Sequence, residues 1–287
     1  MVKLEYNKSD SHRFERSTDK NNIPTKINAV IGAHGGSGKF VVETAASGFG
    51  GNATVSLWLQ KLTVSANATT DGEFIDVLQI NGSSSVFCDI LTVYNENIKP
   101  VRYLFNGGRL RKNYVNDGEI SSFCPGAGRT NIIEGINGHP IDIYKSFCSR
   151  PITSGSPDGV LISRGNCDFR LGSDGDTFGN NRLSYTIDPS MAKILWEHKG
   201  NFVLYNYNWL VPKGNDLLPY GPQTGGVRLE GRAILDLDGM TAHINSLTSD
   251  GKLDGSLTSV TNAAHPAKTT SKLIFGAGDL NGVFNAY

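Results

Sequence analysis

Short runs of β-branched and aromatic residues dominate the chain between Gly51 and Val115. These residue types favour β-strands. Asp-Gly or Asn-Gly pairs close the runs at 71–72, 81–82 and 106–107. Such pairs accept the positive φ of a two-residue hairpin turn. The pattern therefore predicts an antiparallel β-sheet.

The same pattern continues beyond residue 126. Short strands are predicted at 132–134, 141–147, 160–163 and 169–171, with further Asn-Gly and Asp-Gly turns between them. Residues 227–237 alternate most clearly, with apolar side chains on one face and charged side chains mostly on the other. We therefore expect an all-β protein, built as an antiparallel β-sandwich or jelly-roll.

One short helix is predicted at about 189–199. Asp188 is a favourable N-cap and Pro189 suits the first helical position. Three apolar residues then fall on one helical face, and Gly200 follows as a stop signal.

Composition shifts suggest three segments. Residues 1–25 are polar and densely charged with alternating sign, so we expect a flexible arm. Residues 26–125 form a first β region and residues 126–287 a second, either separate from the first or continuous with it. The turns are frequent, but their spacing drifts, so no repeat of fixed period is predicted.

Charge and cysteine usage exclude several classes of protein. Lys+Arg and Asp+Glu are both 27 in 287 residues, so there is no basic excess of the kind that nucleic-acid binding requires. The N-terminus has no apolar signal sequence and no run is long enough to span a bilayer, so we expect synthesis in a cytoplasm without membrane insertion. The cysteines have no metal-site spacing, so free thiols are favoured and two disulfides remain possible: Cys88, Cys124, Cys148 and Cys167.

Residues 33–40 contain a near match to a phosphate-binding P-loop. Phe40 stands where a hydroxyl should ligate magnesium, and Val41, Val42 and Thr44 favour a strand over a helix. A glycine-rich connection between strands is therefore favoured, and no cofactor is expected.

Two pairs of carboxylates are candidates for chemistry. Asp236 and Asp238 lie two residues apart on one predicted strand, which puts their carboxylates roughly 6–7 Å apart, within the range of glycosidase acid and base pairs. The competing interpretation is a solvent-facing row of paired charges. Asp174 and Asp176 resemble the start of a calcium loop, but Phe178 stands where an oxygen ligand is expected, so a polar turn is favoured.

Tyr205, Tyr207 and Trp209 are predicted to share one face of an extended run from Asn201 to Val211. Flat rings beside amides and hydroxyls form the kind of surface on which sugars stack. The alternative is that these rings pack inward or pair across strands.

The runs Val101 to Gly108 and Gly200 to Tyr205, with the dense Gly, Asn, Ser and Asp turns, resemble virion proteins of the bacteriophage tail fibre and tailspike kind. The resemblance implies a homo-oligomer, with a trimer favoured, attached to other virion proteins and to a host-surface polysaccharide. The expected function is a non-enzymatic structural or receptor-binding protein of the virion. A polysaccharide-degrading enzyme on a β scaffold and a lectin-like module are the alternatives.

Overall fold

The computed structural model describes residues 2–4, 27–31, 39–42, 56–82, 85–112, 123, 125–144, 156–172, 184–205, 208–249, 259–261 and 270–276. The regular elements of these residues are 22 strands, numbered β1 to β22 in chain order and arranged in four sheets. Sheet I contains β1 (Val2–Leu4), β3 (Phe40–Val42), β5 (Ile75–Asn81), β7 (Val101–Asn106), β9 (Thr130–Gly135), β11 (Val160–Gly165) and β14 (Lys193–His198). Sheet II contains β2 (Ile27–Ile31), β4 (Ser56–Val64), β6 (Ser85–Asn95), β8 (Arg109–Lys112), β10 (Ile141–Tyr144), β12 (Phe169–Leu171), β15 (Phe202–Leu204), β17 (Val227–Leu229) and β20 (Leu247–Ser249). Sheet III contains β13 (Ser184–Ile187), β16 (Trp209–Pro212), β18 (Ile234–Asp236) and β21 (Ser259–Thr261), and sheet IV contains β19 (Thr241–Ile244) and β22 (Lys272–Phe275).

All neighbouring strands within these sheets are parallel. Strands that follow each other in the chain lie in different sheets, and each strand pairs with the strand laid down one coil later in its own sheet. A chain wound in this way is a parallel β-solenoid. The all-β expectation is therefore right for the described residues, and the antiparallel β-sandwich or jelly-roll is wrong.

The turn-forming pairs explain the error. Gly82, Gly107 and Gly138 have φ of 55°, 90° and 75°, so these positions do use positive φ. Each lies at the connection from a strand of sheet I to the next strand of sheet II, which we call the I–II corner. The turn redirects the chain into the neighbouring sheet instead of reversing it, and a period of two is the same in both folds.

The predicted helix at 189–199 is also wrong, because residues 193–198 form β14. The carboxylate of Asp188 accepts a hydrogen bond from the backbone N–H of Ser190 at 2.8 Å, and the backbone N–H of Met191 donates to the Asp188 carbonyl at 3.0 Å. An N-cap begins in the same way as this local Asx turn, so the sequence signal does not separate the two outcomes.

Two long extended runs are each divided between two sheets. Residues 227–237 form β17 and β18, and Gly231 (φ 61°) lies in the turn between them. The apolar positions predicted to face inward in this run are all buried: Val227, Leu229, Ala233, Leu235 and Leu237. Residues 201–211 likewise contain β15 and the start of β16, so the prediction of a single strand there is wrong.

The core consists of rows of side chains that align from coil to coil inside the solenoid. In sheet II, register places Ile141, Phe169, Phe202 and Val227 in one row, and each is 0% exposed. The rings of Phe169 and Phe202 stack with centroids 5.6 Å apart, and Trp196 meets the Phe202 ring edge-on at 5.4 Å. Complete burial of these apolar side chains supplies the main stabilisation of the fold.

Polar side chains form matching rows on the outside. On sheet I, Arg102 binds Asp76 at 2.7 Å and Glu134 at 3.0 Å, which neutralises charge across three coils. At the I–II corner the Asn106 amide donates to Asn81 at 3.0 Å, and the Asn137 amide donates to Asn106 at 3.1 Å. These contacts fix the register of successive coils.

Candidate functional site

The rings of Tyr220 and His243 form an exposed aromatic surface. Tyr220 is 43% exposed, more than any other tyrosine, phenylalanine or tryptophan whose side-chain exposure is described. The two ring centroids lie 5.8 Å apart at an angle of 39°. Ile274, which pairs in register with His243 on the next coil, is 38% exposed. We call these three side chains the ring platform.

Asn245 holds the loop that carries Tyr220. Its side-chain amide donates to the carbonyls of Gly221 at 2.9 Å and Thr224 at 2.8 Å, and its oxygen accepts from the Gly221 N–H at 3.0 Å. Gly221 has a φ of 106°, which favours glycine. Both hydrogen-bonding groups of this amide are therefore used to shape the turn beside Tyr220.

A second tether fixes the other side of the loop. The indole N–H of Trp196 donates to the carbonyl of Leu217 at 2.9 Å. Trp196 is half-buried and packs against the core rings of Phe169 and Phe202, so the loop is attached to a side chain at the edge of the core. The platform is held in place before any ligand arrives, which lowers the entropy cost of binding.

Asp216 orients the His243 ring. Its Oδ1 lies 2.6 Å from Nδ1 of His243 and also accepts the His243 backbone N–H at 3.1 Å. A carboxylate accepts hydrogen bonds, so Nδ1 carries the proton of the neutral imidazole and Nε2 carries the lone pair. The side chains of His243 and Asp216 are 30% and 34% exposed. This geometry presents a flat ring with a defined hydrogen-bonding edge.

The predicted stacking residues have less exposed ring surface. Tyr205 is 8% exposed and burial raises its pKa, whereas Trp209 is half-buried with its indole nitrogen enclosed. Tyr205 follows β15 and Trp209 begins β16, so a corner between two sheets separates them. Tyr207 lies outside the described residues. Glycan contact at these three positions stays a prediction.

Both carboxylates of the proposed acid and base pair are buried. Asp236 is 0% exposed and Asp238 is 6% exposed, so a solvent-facing row is wrong for them. Asp236 accepts the backbone N–H of Asp238 at 3.2 Å, and Lys213 forms an ion pair with Asp238. These contacts stabilise the turn at Asp238, which has a φ of 49°. A polymer has no access to Asp236 in this arrangement.

Most of the remaining candidates lie outside the described residues: Asp174, Asp176, Cys124, Cys148 and the glycines of the P-loop-like segment. Cys88 lies in strand β6, but its side chain is not among those described. Phe40 begins strand β3, which confirms the expected strand at that point. Lys39 donates to the side chain of Gln79 at 2.7 Å. Cys167 is a free, buried thiol.

A buried serine–histidine pair escaped the sequence interpretation. Ser163 Oγ lies 2.9 Å from His198 Nδ1, and the two residues are 1% and 0% exposed. Burial lowers the pKa of His198 to about 4, against the opposing charge of Asp168. The pair faces the core rows and has no access to a substrate, so its role is internal.

The ring platform was missed although its sequence context carried a signal. Tyr220 lies between Pro219 and Gly221, in a stretch for which the sequence analysis names no element or site. An aromatic residue within a proline- and glycine-rich connection is commonly placed on a surface loop. Its proximity to His243, 23 residues later, depends on coil register, which local patterns do not provide.

Comparison of the chain with protein-family models, with curated proteins and with solved structures found no match. No helix that could cross a membrane occurs in the described ranges. No group of three or more His, Cys, Asp or Glu side chains is placed to hold a metal ion in that part of the chain.

Proposed function

We propose that this protein is a non-enzymatic structural and receptor-binding component of a phage virion, and that the ring platform holds a host-surface glycan. The observation that carries the proposal is the exposed Tyr220 ring, fixed beside His243 by tethers to Asn245, Trp196 and Asp216. Sugar rings present C–H faces that pack on aromatic rings, while their hydroxyls need donors and acceptors at the rim.

The solenoid supports the structural part of the proposal. Stacked coils with aligned core rows and cross-coil ion pairs form a scaffold whose surface features keep a fixed spacing. The resemblance to tail fibres and tailspikes adds assembly into a homo-oligomer, with a trimer favoured. Light scattering of the purified protein tests the assembly, and a monomer would remove this part of the proposal.

Glycan binding is tested by Tyr220→Ala on an array of host-surface oligosaccharides. Loss of one stacking contact, worth about 1 kcal/mol, should weaken binding by roughly five- to tenfold. Ile98→Ala is the matched control, because Ile98 is 83% exposed in the turn before β7 and distant in sequence from the platform. Equal binding by wild type and Tyr220→Ala would contradict the proposal.

A polysaccharide-degrading enzyme is the second candidate, and the Asp216–His243 pair favours it. A histidine oriented by a carboxylate at a glycan surface has the geometry of a general base, with Nε2 as the proton acceptor. An assay for new reducing ends on capsular polysaccharide separates the two functions. Reducing ends that the wild type releases and His243→Gln does not would establish that the protein is an enzyme. Binding of the polysaccharide without release of reducing ends supports the receptor-binding function.

A further inference from the structure

A polar cleft of about 260 Å³ lies at the I–II corner. Three successive corners line it, with Gly138 after β9, Asn166 to Asp168 after β11, and Lys199 with Gly200 after β14. Arg170 of β12 completes the lining. The cleft is slightly smaller than typical small-molecule sites, which begin at roughly 300 Å³.

The corners that line the cleft are closely packed. A Cβ at Gly200 would lie 2.5 Å from the backbone carbonyl carbon of Cys167, so only glycine fits there. Cys167 itself is buried, and burial raises the pKa of its thiol. The thiol therefore stays protonated in this setting, and the charged side chains at the rim determine what the cleft binds.

The charges in the cleft are not balanced. Among the described residues that line it, Asp168 is the one acidic residue, whereas Arg170 and Lys199 are both basic. One oxygen of Asp168 already accepts the backbone N–H of Asn201 at 2.9 Å, and the other lies 3.5 Å from Arg170. Lys199 is exposed and has no ion pair among the described residues.

Arg170 differs from the other paired arginines. Arg102, Arg109, Arg164 and Arg228 have a carboxylate oxygen at 2.7, 3.2, 3.1 and 2.6 Å. The contact of Arg170 is the loosest of these pairs at 3.5 Å. A guanidinium has five N–H donors and binds a carboxylate through two parallel hydrogen bonds, so Arg170 retains the capacity for a second anion.

We infer that this cleft binds the carboxylate of an acidic sugar, a uronic or sialic acid, in the glycan that the ring platform holds. The inference rests on the proposed function and names its ligand class. Asn201 accepts the N–H of Gly226 at 3.1 Å, and the loop that ends there is held by Asn245, so cleft and platform occupy neighbouring coils. Coils are about 4.8 Å apart, a spacing that a short oligosaccharide spans.

The experiment measures binding of oligogalacturonate and oligosialate, the same oligosaccharides after carboxyl reduction, and a sulfated glycan. Wild type should bind at least one carboxylated probe tenfold or more tightly than its reduced form. Arg170→Gln and Lys199→Gln should each remove most of that preference. Arg164→Gln is the matched control, because its side chain is 33% exposed, as is that of Arg170, but its partner is Glu197 on sheet I.

The outcomes separate this inference from the function on which it rests. Binding that is equal for carboxylated and reduced probes but lost in Tyr220→Ala would overturn the cleft site and leave the platform intact. A preference confined to the sulfated glycan would overturn the carboxylate assignment. Absence of binding to every glycan would overturn both proposals. A carboxylate preference unchanged in Arg170→Gln and Lys199→Gln would place the anion elsewhere.

Discussion

His198 should make the folded protein sensitive to mild acid. The ring is 0% exposed, with Phe169 and Trp196 centroids 5.7 and 5.6 Å away. Burial lowers its pKa from 6.5 to about 4, and the charge of Asp168 opposes this effect only in part. His198 therefore binds a proton near pH 6.5 in the unfolded chain, but only near pH 4 in the folded protein.

The sign and size follow from this linkage. Stability rises with pH wherever the unfolded state binds more protons than the folded state. The contribution of His198 to the free energy of unfolding is therefore complete above about pH 6.5 and is lost as the pH falls towards 4. The interval from 6.5 to about 4 corresponds to roughly 3 kcal/mol of unfolding free energy. That loss is a large fraction of the stability of an ordinary domain.

Two measurements test the reasoning. Urea unfolding followed by circular dichroism at pH 7.5 and 4.5 should show that His198→Gln, which keeps a hydrogen-bonding group near Ser163, loses roughly 2–3 kcal/mol less than wild type over that interval. His139→Gln, at an exposed turn position, should behave as wild type. NMR titration of labelled histidine gives the pKa directly, and a His198 resonance titrating near 6.5 in the folded protein would refute the argument.

Two further substitutions test the packing of the coils. Gly200→Ala should destabilise the protein by about 1–3 kcal/mol and lower its melting temperature, because the added methyl meets the Cys167 backbone. Gly72→Ala is the control and should have little effect, because Gly72 is exposed and the nearest atom to the added methyl is 3.7 Å away. Asn97→Ala should lower the free energy of unfolding by about 1–3 kcal/mol, because the buried Asn97 amide donates to the carbonyls of residues 65, 66 and 68. An unchanged midpoint of urea unfolding would contradict this prediction.

The sequence carried enough information to place strands and inward-facing residues. Strands near 132–134 and 160–163 follow from short runs of β-branched and other apolar residues between turn signals. The buried positions from Val227 to Leu237 follow from period-two alternation, which a solenoid shares with a sandwich. The same alternation does not tell which strand is the neighbour. Parallel pairing joins residues such as Phe202 and Val227, 25 positions apart, and no local pattern records that contact.

The drifting turn spacing predicts no repeat of fixed period, and the structure shows why such drift is compatible with a repeating coil. Successive strands of sheet II start 33 residues apart from Phe169 to Phe202, but 20 apart from Val227 to Leu247. The four strands that begin at these residues are each three residues long, and the connections absorb the difference. A search for a fixed period therefore fails on a chain whose repeating unit is the coil and not a residue count.

Variable connections on a regular scaffold also explain where the candidate sites lie. The short I–II corners after β9, β11 and β14 leave the cleft between them, whereas the longer connection between β16 and β17 carries Tyr220. The core rows fix the distance between successive coils along the solenoid axis. A side chain on one connection therefore keeps a constant distance from the side chains on the next. If the glycan is bound as proposed, specificity depends on the spacing of these side chains. Moving Tyr220 by one residue, through an inserted glycine after Pro219, should weaken binding as much as Tyr220→Ala does, by roughly five- to tenfold, while the melting temperature changes little.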